Sequence, residues 1–205
     1  MITILGSGEL ADSLSTLVSK EHVRDVGATT RALADSKTDE GEHLIVAFDH
    51  LDPKRIRDIA VELEGARKSW LIVYLKARYL VFSPVFGPYQ RACVQCFLKR
   101  VLAAPPGVSC AETEYALTLQ YSRGRAGSSP AFSNPVVRFA FEHGVRRIAN
   151  ASNAEHASCS LFDQIGLSHT TAQIVPVHGC VCRDLVVTGI DRFSTAFKAK
   201  SFVNT

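Results

Sequence analysis

Four of the six cysteines in this 205-residue chain come as two close pairs, Cys93-Val94-Gln95-Cys96 and Cys180-Val181-Cys182. No other feature limits the fold as strongly. A Cys-x-x-Cys turn lets two sulfurs converge on one ion, and a structural zinc site wants four donors in a tetrahedron. Two such turns from distant parts of a chain complete one shell and staple those parts together. The pattern therefore predicts one structural zinc site made by Cys93, Cys96, Cys180 and Cys182. The second turn has one intervening residue where two are usual, which leaves His178 as a substitute ligand. Cys110 and Cys159 lie in less patterned surroundings and read as small buried hydrophobes. On the residues alone two alternatives stay open: unrelated core thiols, and a redox Cys-x-x-Cys, although no thioredoxin-like strand and helix frame the first pair.

The rest of the composition sets the context for those thiols. Apolar residues make up 46% of the chain, enough for a real core in a single domain spanning 1–205. The opening MITILGSG has neither a basic lead nor a small-residue cleavage site, so it does not read as a signal peptide. No apolar run reaches the ~20 residues of a membrane-spanning helix. A cytoplasmic location is expected, where cysteines serve metals or cores rather than disulfides. The formal charge of +3 does not by itself point to nucleic acid. It is unevenly spread: Arg123, Arg125, Arg138, Arg146 and Arg147 face one acid, Glu142. That segment is either a solvated helix face with a basic loop or a docking surface for an acidic peptide or partner.

Met1 to Leu5 is an apolar strand, followed by Gly6-Ser7-Gly8 and by Leu10, Leu14, Leu17 and Val18 at helical spacing. Strand, glycine turn and helix open a nucleotide-binding type of α/β unit, with Gly6 and Gly8 as the turn that brings a helix N-terminus near a phosphate; the same pattern equally opens a Rossmann-like scaffold that holds no nucleotide. Ala11 stands at the third glycine position. A short strand is expected at His22–Val26, and His43 to Phe48 reads as a buried parallel strand ending in Asp49. Asp52 and Pro53 cap and start a helix whose apolar face is Ile56, Ile59, Ala60 and Leu63. Trp70–Leu75 and Tyr79–Val85 read as strands joined by a tight hairpin. Phe86-Gly87-Pro88-Tyr89 is a turn before the first cysteine pair, and Pro105-Pro106 closes the helix after it. Arg123 to Ser133 is a loop. Asn134-Pro135 opens a helix by the same cap-and-proline logic, to about Ala149, with Val137, Ala140, Phe141 and Ile148 inward. Ile165–Leu167 and Thr171–Val177 read as late strands, and Asp184 to Thr205 is mixed.

Beyond the thiols, the sequence offers few groups that carry chemistry. Asp49 ends a buried strand, where open α/β sheets place ligand-binding residues; it reads as a magnesium-holding group of a nucleotide site or as a loop cap. Arg55 and Arg57 on the next helix read as solvated, with phosphate contact as the lesser alternative. His143 and Asp191 have no identifiable partner, and no serine, histidine and acid grouping announces a hydrolase.

In order, the glycine turn, the strand ending in Asp49, Gly87-Pro88 with Ala92-Cys93-Val94-Gln95-Cys96, the Asn134-Pro135 helix and Val175-Pro176-Val177-His178-Gly179-Cys180-Val181-Cys182 resemble the ThiF and MoeB branch of ubiquitin-activating-like proteins. Within it they are most similar to the zinc-bearing cyclodehydratase partner proteins of thiazole/oxazole-modified peptide pathways, the McbB or SagC type. The resemblance implies a Rossmann-like ThiF-type α/β sheet, mostly parallel with added antiparallel strands, stapled by a four-cysteine zinc site. It implies a homodimer that docks a precursor peptide and a YcaO-type cyclodehydratase, with bacteriocin-type products. Members that adenylate carry a GxGGLG turn and basic residues for ATP. Here Glu9 brings a carboxylate to the phosphate position, so ATP and magnesium are not expected and the chain reads as a non-catalytic subunit. The alternative is an ATP-dependent adenylating enzyme acting on a peptide or sulfur-carrier C-terminus. Relatives often begin with a winged-helix segment that grips the leader peptide. This chain begins at the nucleotide-fold strand, which implies leader recognition by another protein or another surface.

Overall fold

The computed structural model describes residues 2–18, 23–25, 43–64, 68–76, 79–87, 93–103, 132–150, 158–174, 177 and 180. Among these residues, seven strands make one mixed sheet: β1 (Ile2–Ser7), β2 (Val23–Asp25), β3 (His43–His50), β4 (Ser69–Lys76), β5 (Tyr79–Phe82), β6 (Ser158–Asp163) and β7 (Ser168–Gln173). They lie in the order β2-β1-β3-β4-β5-β6-β7. The first four are mutually parallel and the last three add antiparallel. Among the described residues, four helices cover the sheet: α1 (Glu9–Ser15), α2 (Pro53–Glu64), α3 (Val94–Ala103) and α4 (Asn134–Ala149).

The strand sequences explain why the sheet is covered on both faces. In β3 and β4 nearly every residue is apolar and buried, as a strand between two helical layers requires. Alternation then sorts them. Leu44, Val46, Phe48, Trp70, Ile72 and Tyr74 meet Ile56, Ile59 and Leu63 of α2 and Phe97 and Leu98 of α3. Ile45, Ala47, Leu71 and Val73 meet Leu10 and Leu14 of α1 and Val137 and Ala140 of α4. The result is a three-layer α/β/α domain with a core on each side of the sheet.

Several expectations hold. The parallel strand at 43–48 and the hairpin of the next two strands are present, with Lys76 paired to Tyr79 across a two-residue connection. Asp52 caps α2 as expected, accepting the Arg55 N–H at 3.0 Å. Three expectations are corrected. The helix cap at 134 is Ser133, with Asn134 already helical and no side-chain cap bond. Phe141 is only half-buried, and Val136 and Gly144 take inward places beside Val137 and Ala140. Ile165 to Leu167 is not a strand but the β6–β7 turn, held by Asp163, whose carboxylate accepts the N–H groups of Ile165 and Gly166. In consequence β7 begins at Ser168, ahead of the strand expected from Thr171.

Candidate metal centre and switch-point turn

The first thiol pair is placed by aromatic packing. Phe86 bridges to Trp70 through two backbone hydrogen bonds and packs on its ring at 4.8 Å. It also meets Phe97 edge-on at 5.9 Å. Gly87 lets the chain turn away at this point, because a Cβ there would sit 3.1 Å from the Lys68 carbonyl oxygen. Val94, Phe97 and Leu98 are buried against the sheet, so the start of α3 is fixed. The Phe97 N–H donates to the Cys93 carbonyl, which makes Cys93 the residue that leads into the helix. Cys96 then lies in the first turn, fully buried, with Cys93 half-buried beside it.

Cys180 reaches this point from 87 residues away and sets its sulfur 3.5 Å from that of Cys93. All three sulfurs, of Cys93, Cys96 and Cys180, lie within 4.8 Å of one another. Two thiolates on a tetrahedral zinc, each about 2.3 Å from the ion, are about 3.8 Å apart. A disulfide would need about 2.05 Å. The observed spacing is too long for a disulfide and is compatible with three ligands of one ion. The Val177 N–H donates to the Cys96 sulfur at 3.2 Å, and the Cys180 N–H donates to the Val177 carbonyl at 3.1 Å. An N–H aimed at a sulfur is the outer-shell contact that supports a metal-bound thiolate, and the start of a helix favours the negative charge. The donor set therefore fits zinc. Cys182 and His178 lie outside the described residues, as does Cys110. Cys159 is buried in the core on β6, as expected, and burial pushes its thiol pKa up.

A second group of predicted residues meets at the C-terminal ends of β1 and β3. The chain leaves β1 for a strand on one side and later fills the other, so this crevice is the sheet's topological switch point. Gly6, Gly8 and Asp49 all stand there. Asp49 accepts the Glu9 N–H at 3.0 Å and the Leu10 N–H at 2.8 Å, one on each carboxylate oxygen. Those are the first two amides of α1, the groups that would otherwise greet a phosphate. Arg55, read from sequence as solvated, instead donates to the Ser7 hydroxyl at 2.7 Å, while Arg57 is exposed as expected. Helical spacing alone could not show that contact, since Ser7 comes from another element.

His143 is not the isolated residue that the sequence suggests. Its Nε2 is 3.0 Å from the Ser160 hydroxyl, its ring stacks on Phe139 and meets Phe82 edge-on, and His169 lies 4.9 Å away. Arg147 donates to Ser160, Ser83 and Ser158 and is thus part of the scaffold. Burial first, then Arg147, His169 and Arg146, lower the His143 pKa from 6.5 to about 4. The folded state therefore resists protonating this ring. Its stabilising share is whole above pH 6.5 and is lost as pH falls from there towards 4. The loss should be about 1–2 kcal/mol, because the ring is only partly buried and solvent screens it. His43 and His50 shift the same way, by burial first. Urea unfolding at neutral and acid pH should show a shallower decline in His143→Phe than in the natural chain; equal declines would refute the assignment. Asp191 lies outside the described residues.

No family model matches the sequence, and no curated protein matches it either. Solved structures share the fold. A chain of the E. coli microcin synthetase McbBCD complex aligns with a TM-score of 0.60 at 15% identity, over 88% of this chain and 67% of that one. The microcin C7 biosynthetic enzyme MccB in complex with N-formylated MccA gives 0.54 at 13%, over 88% and 66%. The heterocyclase TruD gives 0.53 at 17%, over 88% of this chain but only 27% of its own. The likeness is one of fold, and at that level it agrees with the McbB-type resemblance carried by the sequence motifs. Among the described residues no helix is long and apolar enough to cross a membrane.

Proposed function

We propose that this chain is a zinc-stapled, non-adenylating ThiF-like subunit of a ribosomal-peptide maturation complex. It docks the precursor peptide and a YcaO-type cyclodehydratase, which converts Cys, Ser or Thr of the precursor into azolines, and it works as a homodimer in the cytoplasm. The zinc is structural and is held by Cys93, Cys96, Cys180 and Cys182. The fold shared with microcin synthetase and heterocyclase components supports the setting.

One observation carries the non-adenylating part: the Asp49 carboxylate sits on the two leading amides of α1. A nucleotide phosphate would have to displace a group of its own charge from that seat, with Glu9 alongside. Ordinary charge repulsion opposes this, and the displaced carboxylate would lose two charge-assisted hydrogen bonds. The fold is thus kept as a platform while its anion seat is closed from within.

The test is co-expression of the tagged chain with a YcaO-type cyclodehydratase and its precursor peptide. Both are expected to co-purify, and the precursor should lose one water per azoline formed only when all three are present. The chain alone should give no ATP–pyrophosphate exchange. Exchange that vanishes in Asp49→Ala would overturn this reading and favour an adenylating enzyme.

A further inference from the structure

The last strand of the sheet, β7, is paired on one side only among the described residues. Its inner side matches β6 without a break, from Ser168 opposite Asp163 to Gln173 opposite Ser158. No described strand pairs with its outer side. All six of its residues are exposed. Sheet edges in stable proteins are usually blunted by lysine, proline, a bulge or a covering element. Ser168-His169-Thr170-Thr171-Ala172-Gln173 has no lysine, no carboxylate, no proline and no bulge. An edge of this kind presents a row of backbone donors and acceptors to an added strand.

The turn at one end of this edge is apolar and fixed. Ile165 and Leu167 are 73% and 75% exposed. Leu167 has a φ of 47°, a left-handed backbone that side-chain-bearing residues seldom adopt. Asp163, itself buried, holds the turn through the N–H groups of Ile165 and Gly166. The two apolar side chains are therefore presented on a rigid tip rather than on a loose loop.

The charge beside the edge is positive. His169 points to the face of the sheet that α4 covers, since its ring meets that of His143. Arg146 and Arg147 of α4 both act on His143 as positive charges, and Arg146 is exposed. The nearest acid on α4, Glu142, is paired with Arg138 at 3.8 Å. A second copy of the chain laid antiparallel on β7 would bring an equally cationic corner onto this one, which opposes self-pairing.

We propose that the outer edge of β7 binds an extended acidic peptide segment. The segment joins the sheet as an eighth strand, with carboxylates on the side of Arg146 and His169 and an apolar side chain against Ile165 and Leu167. This deepens the peptide-docking part of the proposed function and rests on it for the identity of the natural ligand.

The probe is a labelled synthetic peptide of alternating valine and glutamate, titrated into the full chain and followed by anisotropy. A valine–lysine peptide is the charge control. Two further versions carry N-methyl groups on alternate amides, one set per strand edge. The glutamate peptide should bind, and the lysine peptide should not. Arg146→Glu, an exposed change that leaves the fold intact, should weaken the glutamate peptide about fivefold. One N-methylated version should lose binding and the other keep it, and every second amide of β7 should become protected from exchange. Absence of binding, equal binding of both charges, equal tolerance of both methylation patterns, or protection elsewhere would overturn the proposal. So would concentration-dependent protection of β7 without peptide, which would make a second copy the occupant. If the chain still carries zinc and captures its YcaO partner while the probe fails, only this inference falls.

Discussion

Cys96→Ser is expected to purify with well under one zinc per chain and to melt about 10–20 °C below the natural protein. The magnitude follows from the chain length that the site closes. Cys93 and Cys180 are 87 residues apart, and their sulfurs are held 3.5 Å from each other. Cross-linking a loop of that size removes about 4–5 kcal/mol of unfolded-state entropy in the chain-entropy model. A metal clip acts in the same way as long as the ion stays bound. Cys96 is the informative position because it is fully buried at the start of α3 and accepts the Val177 N–H, so it ties both halves of the clip. A chelator should reproduce the loss in the natural chain, and a reducing agent should not. Cys159→Ala, a change to a core thiol on β6, should keep its metal. If the natural chain carries no zinc, or if reductant rather than chelator destabilises it, the centre is not a metal site.

The thiol centre and the sheet differ in how much of them the sequence discloses. Cys93 and Cys96 announce themselves by spacing, and Cys180 by belonging to a second close pair; their meeting is a statement about chemistry that needs no knowledge of the path between them. The strands β3 and β4 are equally plain, because a strand buried on both faces must be apolar at every position. β7 is the opposite case. An exposed edge strand needs no apolar face, so Ser168–Gln173 carries no period, and the apolar Ile165 and Leu167 beside it draw the eye to what is a turn. The Asp163 carboxylate makes that turn, and a side chain reaching back to two amides leaves no mark in a hydrophobicity pattern.

The switch point is legible in its parts and not in its state. Gly6, Gly8 and Asp49 are the residues that a nucleotide-binding opening would use, and the fold brings them to one crevice. What the pattern could not show is that Asp49 spends its oxygens on the amides of α1. Nor could it show that Arg55 reaches Ser7 across the same crevice or that His143 finds Ser160, since each contact joins elements distant in sequence.

Gly6→Ala should cost about 3–5 kcal/mol, far more than an ordinary glycine-to-alanine change. The reason is backbone, not side chain. Gly6 pairs with Ala47 in the parallel register of β1 and β3, and a Cβ on it would fall 2.0 Å from the Ala47 carbonyl oxygen and 2.9 Å from the Ala11 Cβ. Neither neighbour can rotate away, so the strands would have to part or α1 would have to lift. Either movement also carries the leading amides of α1 off Asp49. Gly144→Ala is the matched comparison. There the new Cβ would meet the tip of Ile45 at 3.1 Å, a side chain that can give way. Alanine in a helix also recovers up to about 1 kcal/mol over glycine, so the net change at 144 should be small. Denaturant unfolding of the two variants side by side measures the contrast. If alanine at position 6 costs no more than alanine at 144, then α1 does not approach β1 and β3 this closely. Asp49 would then have no fixed amides to seal, and the case against adenylation would lose its footing.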